Sequence, residues 1–447
     1  MAISPTLSGA PDGCAAPTSL YRDTNFRWLC GGGALSMLGD QFTLIALPWL
    51  VLHLTNDSLA LGATLAAIGL PRAMLVLFGG ALVDRYSPRR ILLLSKCCSA
   101  SLTCLLALAA MHGAPDVRLV YLLAFGLGLS SALGFPASAA LLPHIVPSHH
   151  LGKANALLMG MSQVAALLGP LGAGLIISVL GPHTRAPLDG VGIALLLDAL
   201  SFIVSALTLS RIVMPDGAPQ ADPVDRARHL FGQIAYAFRY FWADRSLRAC
   251  CVYWSVIAFC VGGPIQVGMP VLAMTNLAQG AAALGMIVSA HGAGALAGMA
   301  GAQFVPRAHN GRLGTAILVI DFAIGILFVA LGFSHQAWHA ATLLFLIGAC
   351  NGFIQIRIYT WVQRRIPREL LGRAMSLFMF MLMSVAPLSV MLSGWALRIL
   401  SAEKLFAICG TALMGVALLV RCLTKVTDIS DAAPAPPQGV TAHAPVE

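Results

Sequence analysis

The chain has 447 residues, 58% of them hydrophobic and only 10% charged, with a mean hydropathy of +0.82. A soluble domain carries about 25% charged residues, so this composition excludes a water-soluble protein and indicates a polytopic membrane protein. The net charge of +9 does not indicate nucleic acid, because the basic residues are expected to sort by membrane side.

In chain order, residues 1–24 contain no basic segment leading into an apolar run, so no cleavable signal is expected, and Cys14 lacks the apolar run of a lipoprotein site. A membrane crossing needs about 20 apolar residues. Twelve crossings are predicted, at about 28–52, 58–83, 91–112, 119–141, 154–181, 190–212, 248–274, 281–305, 313–334, 339–362, 374–399 and 404–424. The even count places both termini on one face. Between the second and third crossings lies Gly80-Ala81-Leu82-Val83-Asp84-Arg85-Tyr86-Ser87-Pro88-Arg89-Arg90. Charge this dense belongs at a membrane surface, and its excess of arginine marks that surface as cytoplasmic. Arg118, Arg185, Arg398 and Lys404 are assigned outside and Arg72 and Arg357 within or near the membrane, which leaves 21 of the 27 Lys and Arg inside.

The longest polar interval is 213–247, whose Leu230–Trp242 stretch has apolar residues at helical spacing and predicts an amphipathic helix on the inner leaflet. The Pro- and Ala-rich end, 428–447, is expected to be disordered. The expected divisions are a cytoplasmic segment 1–24, a six-helix half 25–212, a linker 213–247, a second six-helix half 248–425 and a tail 426–447. All but Cys14 of the eleven cysteines sit inside apolar segments or as adjacent pairs, which suits packing better than metal binding or a disulfide framework.

The two halves repeat. Pro147 followed by Leu151-Gly152-Lys153-Ala154 enters the fifth crossing, and Pro367 followed by Leu371-Gly372-Arg373-Ala374 enters the eleventh, 220 residues later. Ala46-Leu47-Pro48 likewise matches Gly268-Met269-Pro270, and Gly62 matches Gly285. A period spanning six helices is a duplicated bundle, far longer than a solenoid repeat.

The Gly80–Arg90 loop resembles the loop 2–3 signature of the major facilitator superfamily, a family of secondary transporters, and the likeness extends over about residues 20–425. Asn25-Phe26-Arg27, Leu38-Gly39-Asp40-Gln41, Ala46-Leu47-Pro48-Trp49 and Leu197-Asp198-Ala199-Leu200-Ser201-Phe202 are similar to its twelve-span branch of macrolide pumps and enterobactin-type exporters. Gly160 with Gly169-Pro170-Leu171-Gly172-Ala173-Gly174 resembles the fifth-helix signature of antiporters. The resemblance implies an all-α membrane protein with twelve transmembrane helices in two pseudo-symmetric six-helix halves. It also implies a cytoplasmic gate formed by Gly80, Asp84, Arg85, Arg89 and Arg90, in which Asp84 meets the start of the eleventh helix near Leu371–Arg373. There the helix N-terminus offers about half a positive charge, and such a contact contributes about 0.3–2 kcal/mol, enough to bias two conformations without locking either. Two departures stand out: the fourth crossing lacks an arginine, and the second-half copy of the loop, Gly301 to Arg307, lacks the acidic residue.

Ionisable residues within crossings are functional candidates by default. Asp40, midway through the first, is the leading candidate for proton coupling or substrate contact, with Arg72 as a possible partner. Asp198 has Ser201 one turn later, and the fold's usual plan places its helix at the periphery. His291, Asn351, Gln355 and Arg357 are further cavity candidates, and Asp321 is expected to be structural. Phe42, Trp49, Trp254 and Phe380 are candidate cargo contacts. No nucleophile–base constellation, metal-ligand cluster or phosphate loop is visible, so no enzyme, metal or cofactor is expected. The expectation is a monomeric inner-membrane exporter of an amphipathic drug or siderophore, working in the lipid bilayer by alternating access and proton antiport. The alternatives are a carrier of a lipid-like solute such as lysophospholipid, and a transport-inactive sensor or assembly protein.

Overall fold

A computed structural model of the chain describes residues 20–85, 87–113, 115–180, 188–213, 238–239, 242–304, 313–366 and 371–423. The tail and nearly all of the segment 1–24 and of the amphipathic stretch 230–242 lie outside the described residues, as do the side chains at 76–85 and 371–374.

Among the described residues, twelve helices are long and apolar enough to cross a membrane. They are α1 Thr24–Thr55, α2 Ser58–Arg85, α3 Pro88–Met111, α4 Val117–Ile145, α5 Leu151–Leu180 and α6 Asp189–Ser210 in the first half. In the second, α7 runs as Arg245–Gly263, a π turn at Pro264–Gly268 and Met269–Thr275, followed by α8 Ala281–Phe304, α9 Leu313–Gly332, α10 Ala337–Arg365, α11 Leu371–Ile399 and α12 Ala402–Leu423. Helix α1 outruns its predicted 28–52 because both ends are capped. The Asp23 carboxylate accepts from the Phe26 N–H at 2.9 Å, and Asn56 ends the helix in the left-handed region at φ 48°. Large apolar side chains cover the outside, Leu122 at 66% and Leu388 at 67% exposed among them, a surface made for hydrocarbon rather than water.

The duplication read from sequence is geometric. In the first half α2 packs on α4 and α3 on α6; in the second α8 packs on α10 and α9 on α12. The halves meet through two equivalent helix pairs, α2 with α11 and α5 with α8. At the first, a Cβ added to Gly62 would lie 2.7 Å from the Val390 carbonyl oxygen and 3.2 Å from Gly394 Cα; at the second, one on Gly174 would lie 2.5 Å from the Ala281 carbonyl oxygen and 3.0 Å from Gly285 Cα. Gly62 and Gly285 are the pair the repeat matches, and Gly174 and Gly394 stand 220 residues apart. Two backbone-to-backbone crossings, related by a pseudo-twofold axis, therefore join the halves.

Candidate functional site

The helix starts of α1, α3 and α5 and the ends of α2, α4 and α6 share one end of the bundle, here called the terminal end because α1 begins and α12 ends there. A cavity of about 940 Å³ lies almost wholly within the first half, and among the described residues the second contributes only Gln266, Met383 and Ala386. Its lining extends along α1 from Pro48 back to Leu29, along α3 from Thr103 to Leu92 and along α6 from Asp198 to Leu209. The stretches on α3 and α6 run from mid-depth towards the terminal end, while that on α1 also reaches past mid-depth to Pro48. At the opposite end the halves are drawn together by the glycine crossings, by an ion pair between Arg398 and Asp57 and by Ser58 Oγ donating to the Gly394 carbonyl at 3.0 Å.

Four charged groups line the cavity: Asp40 from α1, Arg72 from α2, Lys96 from α3 and Asp198 from α6. Asp198 is 1% exposed and is held by hydroxyl donors, Thr43 of α1 on Oδ2 and Ser201 on Oδ1 at 3.3 Å. Gly39 makes room for it, since a Cβ there would collide with Ser201 and Asp198. Asp40 is instead open to the cavity, within electrostatic reach of Lys96 and Arg72. Lys96 donates to Ser36 Oγ at 2.5 Å and rests 4.8 Å from the centroid of the Phe202 ring, a cation–π arrangement. Two carboxylates facing two cations give a formally neutral cluster, which a single proton would turn net positive.

The structure thus joins Asp40, Arg72 and Asp198, three of the expected candidates. Helix α6 is not peripheral to the site: it packs on both α1 and α3, which brings Asp198 to the cavity wall. The other four candidates do not line it. His291 is half-buried on α8 and its Nε2 has no hydrogen-bond partner, Asn351 and Gln355 lie on α10, and Arg357 donates to the Ala302 carbonyl at 3.3 Å and stacks on Phe353. Asp321 is buried and accepts from the Tyr253 hydroxyl at 2.5 Å, away from the cavity, as befits its structural reading. Phe42, Trp49, Trp254 and Phe380 are not among the lining residues either; the aromatic contacts come from Phe135 and Phe202. Among the described residues no group of three or more His, Cys, Asp and Glu gathers as metal ligands would.

Lys96 is the residue sequence reasoning missed, having been counted among the 21 inner-side cations. Its place inside the third apolar stretch was the available signal, since a charge within a crossing is unusual. Of the gate residues, Gly80, Asp84 and Arg85, together with Leu371–Arg373, lie outside the described side chains. Arg89 is described and binds elsewhere, donating to the Leu209 and Ser210 carbonyls at 3.0 and 2.6 Å. It therefore caps the end of α6, while Arg90 is exposed. In the α5 signature, Gly169 abuts Gln41 of α1, Gly172 lies near Phe42, and Pro170 and Gly174 abut Gly285. The Leu171 N–H donates across the halves to Ser289 Oγ at 2.9 Å. Only Gly160 has no neighbour within 4 Å of an added Cβ.

Comparison with known proteins agrees with this arrangement. The sequence model described as Major Facilitator Superfamily matches residues 29–390. Among curated proteins, the "Enterobactin exporter EntS" of Salmonella typhimurium is 25% identical over 342 residues, 76% of each chain. An "Uncharacterized MFS-type transporter y4rN" of Sinorhizobium fredii is 25% identical over 403 residues, 89% of this chain and 93% of the relative. Among solved structures, the nucleoside transporter NupG aligns with a TM-score of 0.66 at 12% identity, covering 89% of this chain and 98% of that one. A bacterial homologue of the iron transporter ferroportin, in an inward-facing state, aligns with a TM-score of 0.64 at 16% identity, covering 91% and 98%.

Proposed function

Because the chain belongs to the Major Facilitator Superfamily, we propose that it exports an amphipathic small molecule across the bacterial inner membrane by alternating access, in exchange for protons taken up at Asp40. The arginine-rich loop after α2 supports a cytoplasmic terminal end, so the cavity described above faces the cytoplasm. The observation that carries the reading is a membrane-embedded carboxylate open to that cavity, beside two cations and a buried second carboxylate that accepts from Thr43.

Asp198 is buried behind Gly39 and accepts from the Thr43 hydroxyl, out of reach of a ligand. Asp40 is the group free to change state. Charged, it leaves the cluster neutral and accepts a donor group of the cargo; protonated from the outside, it no longer does, and the cargo departs. Competition of proton and cargo for one carboxylate is sufficient for antiport, provided the two are never bound together. Phe135 and Phe202 supply apolar contact, and Ser131, Ser138 and Ser162 supply hydroxyls, a lining suited to an amphipathic solute. The resemblance to enterobactin exporters favours export, with siderophores and drugs as cargo classes.

Transport into inverted vesicles, with and without an imposed pH gradient, tests the proposal. Asp40→Asn is expected to abolish gradient-driven uptake while leaving downhill exchange. If gradient-driven uptake persists unchanged in the variant, Asp40 is not the coupling group.

A further inference from the structure

Helices α2 and α11 can be followed past one another from the end opposite the cavity mouth. Arg398, in the last turn of α11, donates from Nε to Asp57 Oδ1 at 2.8 Å and from a second guanidinium nitrogen to Oδ2, the two-pronged geometry that arginine alone provides. Asp57 is steadied from its own side, since Oδ1 also accepts from the Leu59 N–H at 2.9 Å and so caps α2. One turn inward, Ser58 Oγ binds the Gly394 carbonyl and Gly62 meets Val390 and Gly394. Near mid-depth a Cβ on Gly69 would lie 3.0 Å from Pro387 Cγ. The charged contact thus bridges the two halves at the end of the bundle that must part when the cavity changes sides, and backbone contacts without bulk lie behind it.

We propose that Asp57 and Arg398 form an outer clasp that ties α2 to α11 at this end and holds the cavity open to the cytoplasm. The inference rests on alternating access in the orientation proposed above and is independent of cargo and of protons. The pair is partly exposed, with Arg398 at 51% and Asp57 at 25% side-chain exposure, so it biases the equilibrium by no more than about fivefold and weakens in salt. A weak clasp suits a carrier that must release it in every cycle.

The test is a distance measurement between spin labels on the full-length chain in lipid nanodiscs. His112→Cys at the outer end of α3 and His335→Cys before α10 place one label on each half, both at exposed positions, in a background with the native cysteines replaced. Arg398→Gln, which leaves the α2 cap intact, is expected to raise the share of long, outward-open distances by about two- to fivefold, and 1 M salt to do the same in the parent but not in the variant. Arg398→Lys, which keeps the charge and the α2 cap but not the two-pronged contact, is expected to give an intermediate distribution. Unchanged distances in Arg398→Gln overturn the clasp, and so does a variant that still responds to 1 M salt. If Arg398→Gln fails to fold, Asp57→Glu with Arg398→Lys replaces it, and loss of the two-pronged contact must still lengthen the distances. Neither a cargo nor a pH gradient enters the readout, so this result and the fate of Asp40→Asn are separable.

Discussion

The two halves share a backbone plan and differ in where they keep their charge. The first half turns Asp40, Arg72, Lys96 and Asp198 towards a cavity. The second buries Asp321 against Tyr253 and spends Arg357 on a helix carbonyl and a phenyl ring. The duplicated crossings are thus equivalent, while among the described residues the charged side chains that line the cavity all lie in the first half. A charge left at mid-membrane is costly unless paired or functional, so the second half's charges survive where a neighbouring helix satisfies them.

The contrast is broken most directly by comparing the two membrane carboxylates. Asp40→Asn is expected to remove gradient-driven transport with little change in thermal stability, whereas Asp321→Asn should keep transport and lose about 1–3 kcal/mol of stability, the usual range for disturbing a buried polar pair. Equal behaviour in a vesicle assay with parallel melting curves would erase the distinction between the halves. Next in size, Gly174→Val and Gly62→Val should each damage packing by about 1–3 kcal/mol and reduce transport together, because the crossings are equivalent; Gly160→Ala, with nothing near its Cβ, should be silent. A large effect at only one crossing would show that the pseudo-symmetry is not functional. Thr43→Val withdraws a hydroxyl from the buried Asp198 carboxylate and should cost about 1–3 kcal/mol, read as a lower melting temperature.

The smallest effect concerns pH at the membrane surface. Asp244 caps α7 and pairs with Arg365 of α10 at 2.8 Å. Burial alone would raise its carboxyl, but the hydrogen bond and charge of Arg365 outweigh it and hold the group below the usual carboxylate range. Asp57 is held low chiefly by the Arg398 hydrogen bond. A depressed carboxyl stabilises the fold above its ordinary pKa of about 3.9, and that contribution disappears as pH falls through the lower folded value. Melting temperature should therefore drop modestly below about pH 4, because both pairs are partly exposed and screened by solvent, and Arg365→Gln should flatten part of the drop.

Much of this was legible in the sequence because hydropathy and repetition report directly on membrane crossings. The match of Gly62 with Gly285 anticipated equivalent contacts, since only glycine allows two backbones so close. Asp40 was legible by depth alone. Lys96 was not, because a lysine near a predicted end can extend to the surface along its own methylenes, and nothing in the string shows that it instead turns to Ser36 and Phe202. Asp198 was underrated for a related reason: in an apolar helix, the face towards a cavity and the face towards lipid differ by one or two polar residues. His291, Asn351, Gln355 and Arg357 do not line this cavity, since polarity within a crossing can serve a neighbouring helix as readily as a ligand.

The paired glycine crossings also bear on energy conservation. A carrier that exchanges cargo for protons is an electrical short circuit whenever both of its ends admit water, and side chains that re-pack imperfectly leave wet gaps. Where Gly62 meets Gly394 and Gly174 meets Gly285, no side chain stands between the backbones, so closure leaves no room for a file of water molecules. Enlarging either residue should then raise passive proton leak through the empty protein before it abolishes turnover. Under the proposed exchange mechanism the seam between the halves would insulate the membrane potential as well as join them.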